Sequence, residues 1–369
     1  MAALPGARVV GGAVRDALAG RAVADIDLAT PEVPDAVVRA LAAAGIRAVP
    51  TGIKHGTVTA VVDGRGFEVT TLRRDVETDG RHANVAFTDD WRVDAARRDF
   101  TMNAMSLGED GEVFDYFGGI ADLRAGIVRF VGDPLTRIAE DYLRILRFFR
   151  FHARYGTGCP DAAALTAIGG SVAGLAILSV ERVWSELQRI LAAPDPSGAV
   201  ALMDELSVLP VVLPEGADPA SLARLIAANA PADPLLRLAA LLTGDAEPVA
   251  DRLRLSGAER GRLLALRSGP ALPADADDDT LRRALADAAS DILIGRAWLG
   301  GSPVALRARL AVLPPPRFAL EGRDALSLGV SPGPAVGALL REVRDWWLAG
   351  GCRADDTACR AELARRIAG

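Results

Sequence analysis

Between Arg8 and about Phe130, short apolar runs rich in β-branched residues alternate with helical stretches such as Pro34 to Ala44. The runs are Ala7 to Val10, Val58 to Val62, Phe67 to Leu72, Val113 to Tyr116 and Ile127 to Phe130, each bounded on at least one side by Gly, Asp or a charged residue. Their length and boundaries predict strands, and the mixture predicts an α+β head. After Asp133-Pro134 the strand pattern stops. The rest of the chain reads as successive helices broken at Ala193 to Pro196, Pro210 to Pro234, Gly269 to Asp279, Pro314 to Pro316 and Ser331 to Pro334. No fixed-period repeat is present, and the acidic run Asp275 to Asp279 reads as a solvated loop.

Composition adds mainly exclusions. The 369 residues carry a formal net charge of -6 and are 50% hydrophobic and 24% charged, a soluble globular profile large enough for two or more domains. A net acidic chain does not coat nucleic acid indiscriminately, although local basic stripes remain possible. No window approaches about 18 uninterrupted apolar residues. Arg8 and Arg15 interrupt the most apolar N-terminal stretch, so neither a membrane span nor a secretory signal is expected, and the location is read as cytoplasmic. Cys159, Cys352 and Cys359 have no metal-type spacing and are expected to be buried thiols in a reducing compartment. Of 42 basic residues only Lys54 is lysine, a compositional bias that says nothing about chemistry.

Candidate chemistry begins with Val9-Val10-Gly11-Gly12-Ala13-Val14-Arg15-Asp16, a strand, a glycine pair and a helical start. It reads either as an ordinary strand-to-helix turn or as a phosphate cradle, with free N–H groups at the helix start and a guanidinium from Arg15. About ten residues on, Asp25-Ile26-Asp27 would place two carboxylates on one strand face with Ile26 in the core, presenting hard oxygen ligands to Mg²⁺; the plainer alternative is a solvated strand end. Glu140 to Arg150 reads as one largely buried helix, because Leu143, Ile145, Leu146, Phe148, Phe149 and Phe151 surround its axis. Asp141, Arg144, Arg147 and Arg150 recur every three residues along it, and charges on a buried helix need partners. Glu140 to Arg144 could pair within the helix, whereas Arg147 and Arg150 call for a ligand such as a nucleotide. Ser179 is placed to cap the helix that follows it. With three histidines (His55, His82, His152), no nucleophile elbow, no Walker-type loop and no dinucleotide fingerprint, several common enzyme classes are excluded.

Gly11-Gly12-Ala13-Val14-Arg15-Asp16 with Asp25-Ile26-Asp27, then Arg97-Arg98-Asp99-Phe100-Thr101-Met102-Asn103-Ala104, then Glu140 to Arg150, and finally Ser179 to Leu187 together resemble motifs of the class II tRNA nucleotidyltransferases and bacterial poly(A) polymerases. The likeness covers roughly residues 8 to 210. It implies a polymerase-β-like nucleotidyltransferase head over residues 1–132, a helical neck for base recognition over 133–195, and a helical body and tail that binds tRNA over 196–369. By the same resemblance, Asp25 and Asp27 are catalytic and hold two Mg²⁺, with Glu68 a tentative third acid or a plain strand-surface residue. Gly12 and Arg15 cradle the triphosphate, and Arg98 with Asp99 hold the ribose and phosphates. Asp141 and Arg144 read the base, while Arg147 and Arg150 meet phosphates or the pocket wall. Thr70 to Asp75 followed by Gly80-Arg81-His82 resembles the strand and flexible loop that assist the switch from C to A addition. The implied reaction is untemplated addition of CCA to tRNA from CTP and ATP. Siblings that make poly(A), add only CC or add only A remain alternatives, as does an RNA-binding module without catalysis; no protein partner is predicted. The loop around Gly52 to Gly56, without an arginine-rich strand, favours the CCA type.

Overall fold

The computed structural model describes residues 1–78 and 83–368. In chain order the head runs β1 (Arg8–Val10), α1 (Gly12–Leu18), β2 (Asp27–Thr30), α2 (Pro34–Ala43), β3 (Arg47–Gly52), β4 (Thr57–Val62), β5 (Arg65–Thr71), β6 (Arg73–Thr78), β7 (Ala83–Phe87), α3 (Trp91–Ala96), β8 (Met105–Leu107), β9 (Val113–Asp115) and α4 (Gly119–Ala125). Seven of these strands form one sheet in the order β3-β4-β5-β2-β1-β8-β9, and β6 pairs only with β7. Within the sheet β2 and β5 run parallel, with Leu28 opposite Val69, while the other neighbours are antiparallel. The alternation in β4 buries Val58 and Ala60 against Val37 and Leu41 of α2, which closes one side of the sheet.

Most apolar runs become strands within a residue or two of their expected ends. Ile127 to Phe130 does not. It is extended and bonds through Thr101 N to Arg129 O and Val131 N to Asp99 O, but only Phe130 and Phe100 form a bridge. Its apolar side chains serve the core instead, since Val128 and Phe130 are buried. The loop residues Gly80, Arg81 and His82 lie outside the described residues.

The helices that follow are α5 (Pro134–Glu140), α6 (Leu143–Tyr155), α7 (Ala162–Ser171), α8 (Val180–Leu191), α9 (Ser197–Glu205) and α10 (Leu209–Val212). Head and helices through Pro219 pack as one compact unit. They share a phenylalanine core in which Phe100 lies 4.9 Å from Phe130 and 5.1 Å from Phe151, with Phe130 stacked on Phe148 at 6.1 Å between ring centres. Each such pair adds about 0.5–1.5 kcal/mol beyond its buried area, and together they bind the turn after Arg98 to α6. A second compact unit begins at Ala220, and its regular elements among the described residues are helices. It has its own cores, one around Leu281, Leu293, Leu306 and Leu310 and one around Val343, Trp347, Cys359 and Leu363.

Three further expectations are corrected. Pro210 to Pro234 is not a continuous break, because Pro210 sits in the first turn of α10, where its missing N–H costs nothing, and Pro219–Ala227 is helical. Of the acidic run, Asp277 caps the helix Asp278–Asp287 through Thr280 N, and Asp278 pairs with Arg309. Cys159 is exposed in the segment after α6, while Cys352 and Cys359 are buried as expected. No helix among the described residues is long and apolar enough to cross a membrane.

Candidate active site

The glycine pair turns the chain sharply out of β1. Gly11 adopts φ 66°, and a Cβ there would lie 3.0 Å from Arg98 Nη1, so a side chain is opposed both by the backbone and by its neighbour. Gly12 opens α1, and Arg15, one turn on, points back beside it. Arg15 is buried and donates to Asn103 Oδ1 at 2.5 Å and to Asp16 Oδ1 at 3.0 Å, with its guanidinium over the rings of Phe151 and Tyr155.

Arg97-Arg98-Asp99 is no surface ion pair. Asp99 is buried, and burial pushes its carboxyl up. Arg147, the Asn103 amide and the Phe100 N–H outweigh that and hold it below the ordinary aspartate value. Arg147 Nε donates to Asp99 Oδ2 at 2.7 Å. Arg97 and Arg98 both turn to Asp94, at 3.0 and 3.4 Å.

The block Glu140 to Arg150 is not one helix. Glu140 ends α5, Asp141 is extended, and its carboxylate accepts from Leu143 N at 3.1 Å, which caps the start of α6 and breaks the expected stripe. The apolar half of the expectation holds, with Leu143, Ile145, Leu146, Phe148, Phe149 and Phe151 all buried. The charges do find partners, and those partners are protein. Arg144 pairs with Glu140 and donates to Arg137 O at 2.7 Å, Asp141 takes Arg182 Nη2 at 2.7 Å, and Arg150 Nε stands 2.7 Å from Glu186 Oε2. Glu186 is 3% exposed, and its charge is offset by arginines, Arg150 at 2.7 Å and Arg189 at 3.6 Å.

These groups line one cavity of about 600 Å³. It gathers Gly12, Arg15, Arg98, Asp141, Arg144, Arg147 and Arg150 from the expected set, together with Arg73, Arg97, Asn103, Arg182 and Arg189. The wall holds nine arginines against Asp99 and Asp141, a lining that suits a polyanion. Arg182, Glu186 and Arg189 were readable only as parts of a neck helix, with Ser179 at its N-cap position but making no side-chain cap bond. Their spacing at i, i+4 and i+7, which puts them on one face of α8, is the signal that could have singled them out.

Asp25 and Asp27 line a different cavity with Glu68, Arg65 and Phe67. Asp27 begins β2 opposite Val10, the last residue of β1, so the strand pairing sets it beside the glycine turn. Here the expected strand is shorter. Once Gly11 turns away, Asp25 and Ile26 have no partner strand, and Ile26 is 42% exposed instead of core. Burial raises the Asp27 carboxyl above the ordinary aspartate value, Arg98 opposes the rise, and Asp25 adds to it. The strand register brings Glu68 to this cleft, yet no group of three metal-type side chains close enough to hold an ion occurs among the described residues. Two carboxylate arms are a suitable donor set for Mg²⁺, which prefers oxygen ligands and keeps coordination positions for water and phosphate.

Residues 7–129 match the family described as Poly A polymerase head domain, and 160–218 match the Probable RNA and SrmB- binding site of polymerase A. With the sheet and its arginine-lined cavity, the match defines a nucleotidyltransferase class of enzyme. The mitochondrial CCA tRNA nucleotidyltransferase 1 of Danio rerio is 38% identical over 358 residues, covering 92% of this chain and 83% of its own. The CCA-adding enzyme of Anoxybacillus flavithermus is 40% identical over 209 residues, 56% of this chain and 51% of its own. Among solved structures, the Bacillus stearothermophilus CCA-adding enzyme in complex with CTP superposes with a TM-score of 0.78 at 28% identity, covering 98% of this chain and 93% of its own. The chain belongs to the CCA tRNA nucleotidyltransferase family.

Proposed function

We propose that this enzyme adds C, C and A to the 3′ end of tRNA from CTP and ATP without a nucleic-acid template, releasing pyrophosphate at each step. The observation that carries the assignment of roles is the single cavity holding a carboxylate acceptor, Asp141, and a guanidinium donor, Arg144, among the arginines. Cytosine and adenine both present an exocyclic amino donor beside a ring-nitrogen acceptor, whereas guanine and uracil present the reverse. A carboxylate and a guanidinium side by side therefore accept C and A, and a wrong base leaves like groups facing each other in a partly desolvated site. Asp141 has acceptor capacity beyond the bonds from Arg182 and Leu143 N, since an ionised carboxylate offers about four lone-pair sites.

At the other end the chain's residues bind and orient. Gly12 leaves room for phosphate at the start of α1, Arg15 lies beside it, and Arg98, which lines the cavity and whose charge reaches Asp27, addresses sugar and phosphate. Arg147 and Arg150 supply further positive charge from α6. Asp25 and Asp27 would hold two Mg²⁺. When bound, the ions make the terminal 3′-hydroxyl easier to deprotonate and offset charge on the departing pyrophosphate. In the transfer, the 3′-oxygen forms a bond to the α-phosphorus as the bond to the β-phosphate oxygen breaks, and the hydroxyl proton passes to solvent. The domain scheme read from the sequence, with head to 132, neck to 195 and RNA-gripping body beyond, belongs to this proposal, as does a cytoplasmic location.

The test incubates purified protein and Mg²⁺ with a tRNA transcript lacking CCA and offers CTP, ATP or both, with products resolved at single-nucleotide length. Growth by two residues with CTP, and by a third only when ATP is present, is the expected result. A long A tail, arrest after CC, or addition of A alone would assign a sibling activity, and no extension with retained RNA binding would leave only a binding role.

A further inference from the structure

Asn103 is buried, uncharged and placed among ions. Its Oδ1 accepts from Arg15 Nη1 at 2.5 Å, and its Nδ2 donates to Asp99 Oδ1 at 2.9 Å. The other Asp99 oxygen accepts from Arg147 Nε at 2.7 Å. Four side chains from α1, the turn after α3 and α6 thus form one continuous string, and all four line the same cavity. The amide's orientation follows from its neighbours, because a guanidinium can only donate and a carboxylate can only accept. No other neutral side chain of this size offers an acceptor on one side and a donor on the other. Aspartate would put a second anion against Asp99, and leucine would leave both ions without their buried partner.

We infer that Asn103 is a positioning residue that holds the phosphate-side arginine Arg15 and the sugar-side Asp99, with its partner Arg147, in one fixed relation, so that the phosphates and the sugar of a nucleotide meet groups already in register. The role assigned to the cavity under Proposed function underlies this inference. Asn103 touches no reacting atom in this scheme and acts through Arg15 and Asp99. Its loss therefore loosens two contacts at once, which raises KM for CTP and ATP alike and lowers kcat by misplacing the α-phosphate.

The test compares wild type with Asn103→Leu and, as the smaller change should leucine not fold, Asn103→Ser, each confirmed folded by its thermal transition. Binding of CTP is titrated without RNA, and kcat and KM are measured for CTP and ATP in the extension assay. A loss in kcat/KM of about tenfold to a hundredfold, shared by both nucleotides and accompanied by weaker CTP binding, is expected. In the Arg15→Gln background the Asn103→Ser change should cost much less than it does alone, since its principal partner is gone. Unchanged CTP binding and kinetic constants in folded variants, or strictly additive effects in the double variant, would overturn the inference. A wild type that extends no RNA while still binding CTP would defeat the functional assignment and leave the CTP titration of the variants to decide the role of Asn103.

Discussion

The arginine-lined cavity and the aspartate cleft are organised in opposite ways. In the cavity Arg15, Asp99, Asn103, Asp141, Arg144 and Arg147 all have protein partners before any ligand arrives. In the cleft Asp25 and Ile26 are exposed and lie outside β2, and Asp27 carries a carboxyl whose proton is held more tightly than usual. One end is assembled in advance and the other is left electrostatically unsatisfied. The contrast fits the roles proposed for the two places, since a recognition surface gains from rigid partners that cannot adapt to a wrong base, whereas a site for divalent cations needs negative charge that the protein itself has not neutralised.

The sharpest way to break this contrast is at the cleft. Asp27→Ala should lower nucleotide incorporation by on the order of a thousandfold or more while leaving tRNA binding in place. Extension and gel-shift assays on the same preparation check it, and removal of divalent cation with a chelator should reproduce the loss reversibly. At the pre-assembled end, Glu186→Gln removes the buried counter-charge of Arg150 and should destabilise the protein by about 3 kcal/mol, read by urea unfolding. Smaller again is the effect on selection. Arg144→Ala should cut kcat/KM for CTP by about tenfold to a hundredfold and narrow the preference for CTP over UTP, with Arg182→Ala following the same direction to a lesser degree by releasing Asp141.

The smallest effect concerns pH. Because the folded-state value of Asp27 is raised, the folded protein holds more protons than the unfolded chain between the ordinary and raised values. Its contribution to stability therefore declines as pH rises through that window. Without divalent cation, Asp27→Asn should become progressively more stable relative to wild type over the same interval and remain so at neutral pH. Asp99 has the opposite sign. Its lowered value contributes stability that is present above the ordinary aspartate value and is lost as pH falls through the lowered one. Unfolding midpoints measured from acidic to neutral pH separate the two.

The α+β head and the helical remainder were legible because period-two runs such as Val58–Val62 and the buried wheel of Leu143 to Phe151 follow directly from hydrophobic patterning. The strands at Arg47–Gly52 and Met105–Leu107 were not, and the one expected at Asp25–Asp27 begins only at Asp27, since short or mixed segments become strands only through the neighbours that tertiary structure supplies. The same limit applies at the site. Local pattern exposed Arg144, Arg147 and Arg150 as charges on an apolar helix and Arg15 as a cation beside the glycine turn, the resemblance added Arg98, and the structure brings all five into one cavity. It could not expose that Asp141 leaves the helix to cap it, that Ile26 lies in the open, or that Asn103 spans Arg15 and Asp99 across 88 positions of chain.

The parallel pairing of β2 with β5 has a kinetic consequence. Antiparallel neighbours such as β4 and β5 close over a few residues, but Leu28 must wait for Val69, so the strand that carries Asp27, paired nearby with β1 on one side, is fastened on the other only by a distant segment. Contacts of such wide separation are slow to form because chain entropy is lost before any burial compensates. On a ribosome, the aspartate arm therefore emerges early and is seated late. Through that interval its carboxylates are ordinary solvated side chains, and the cation site proposed for them comes together only with the closing of the sheet.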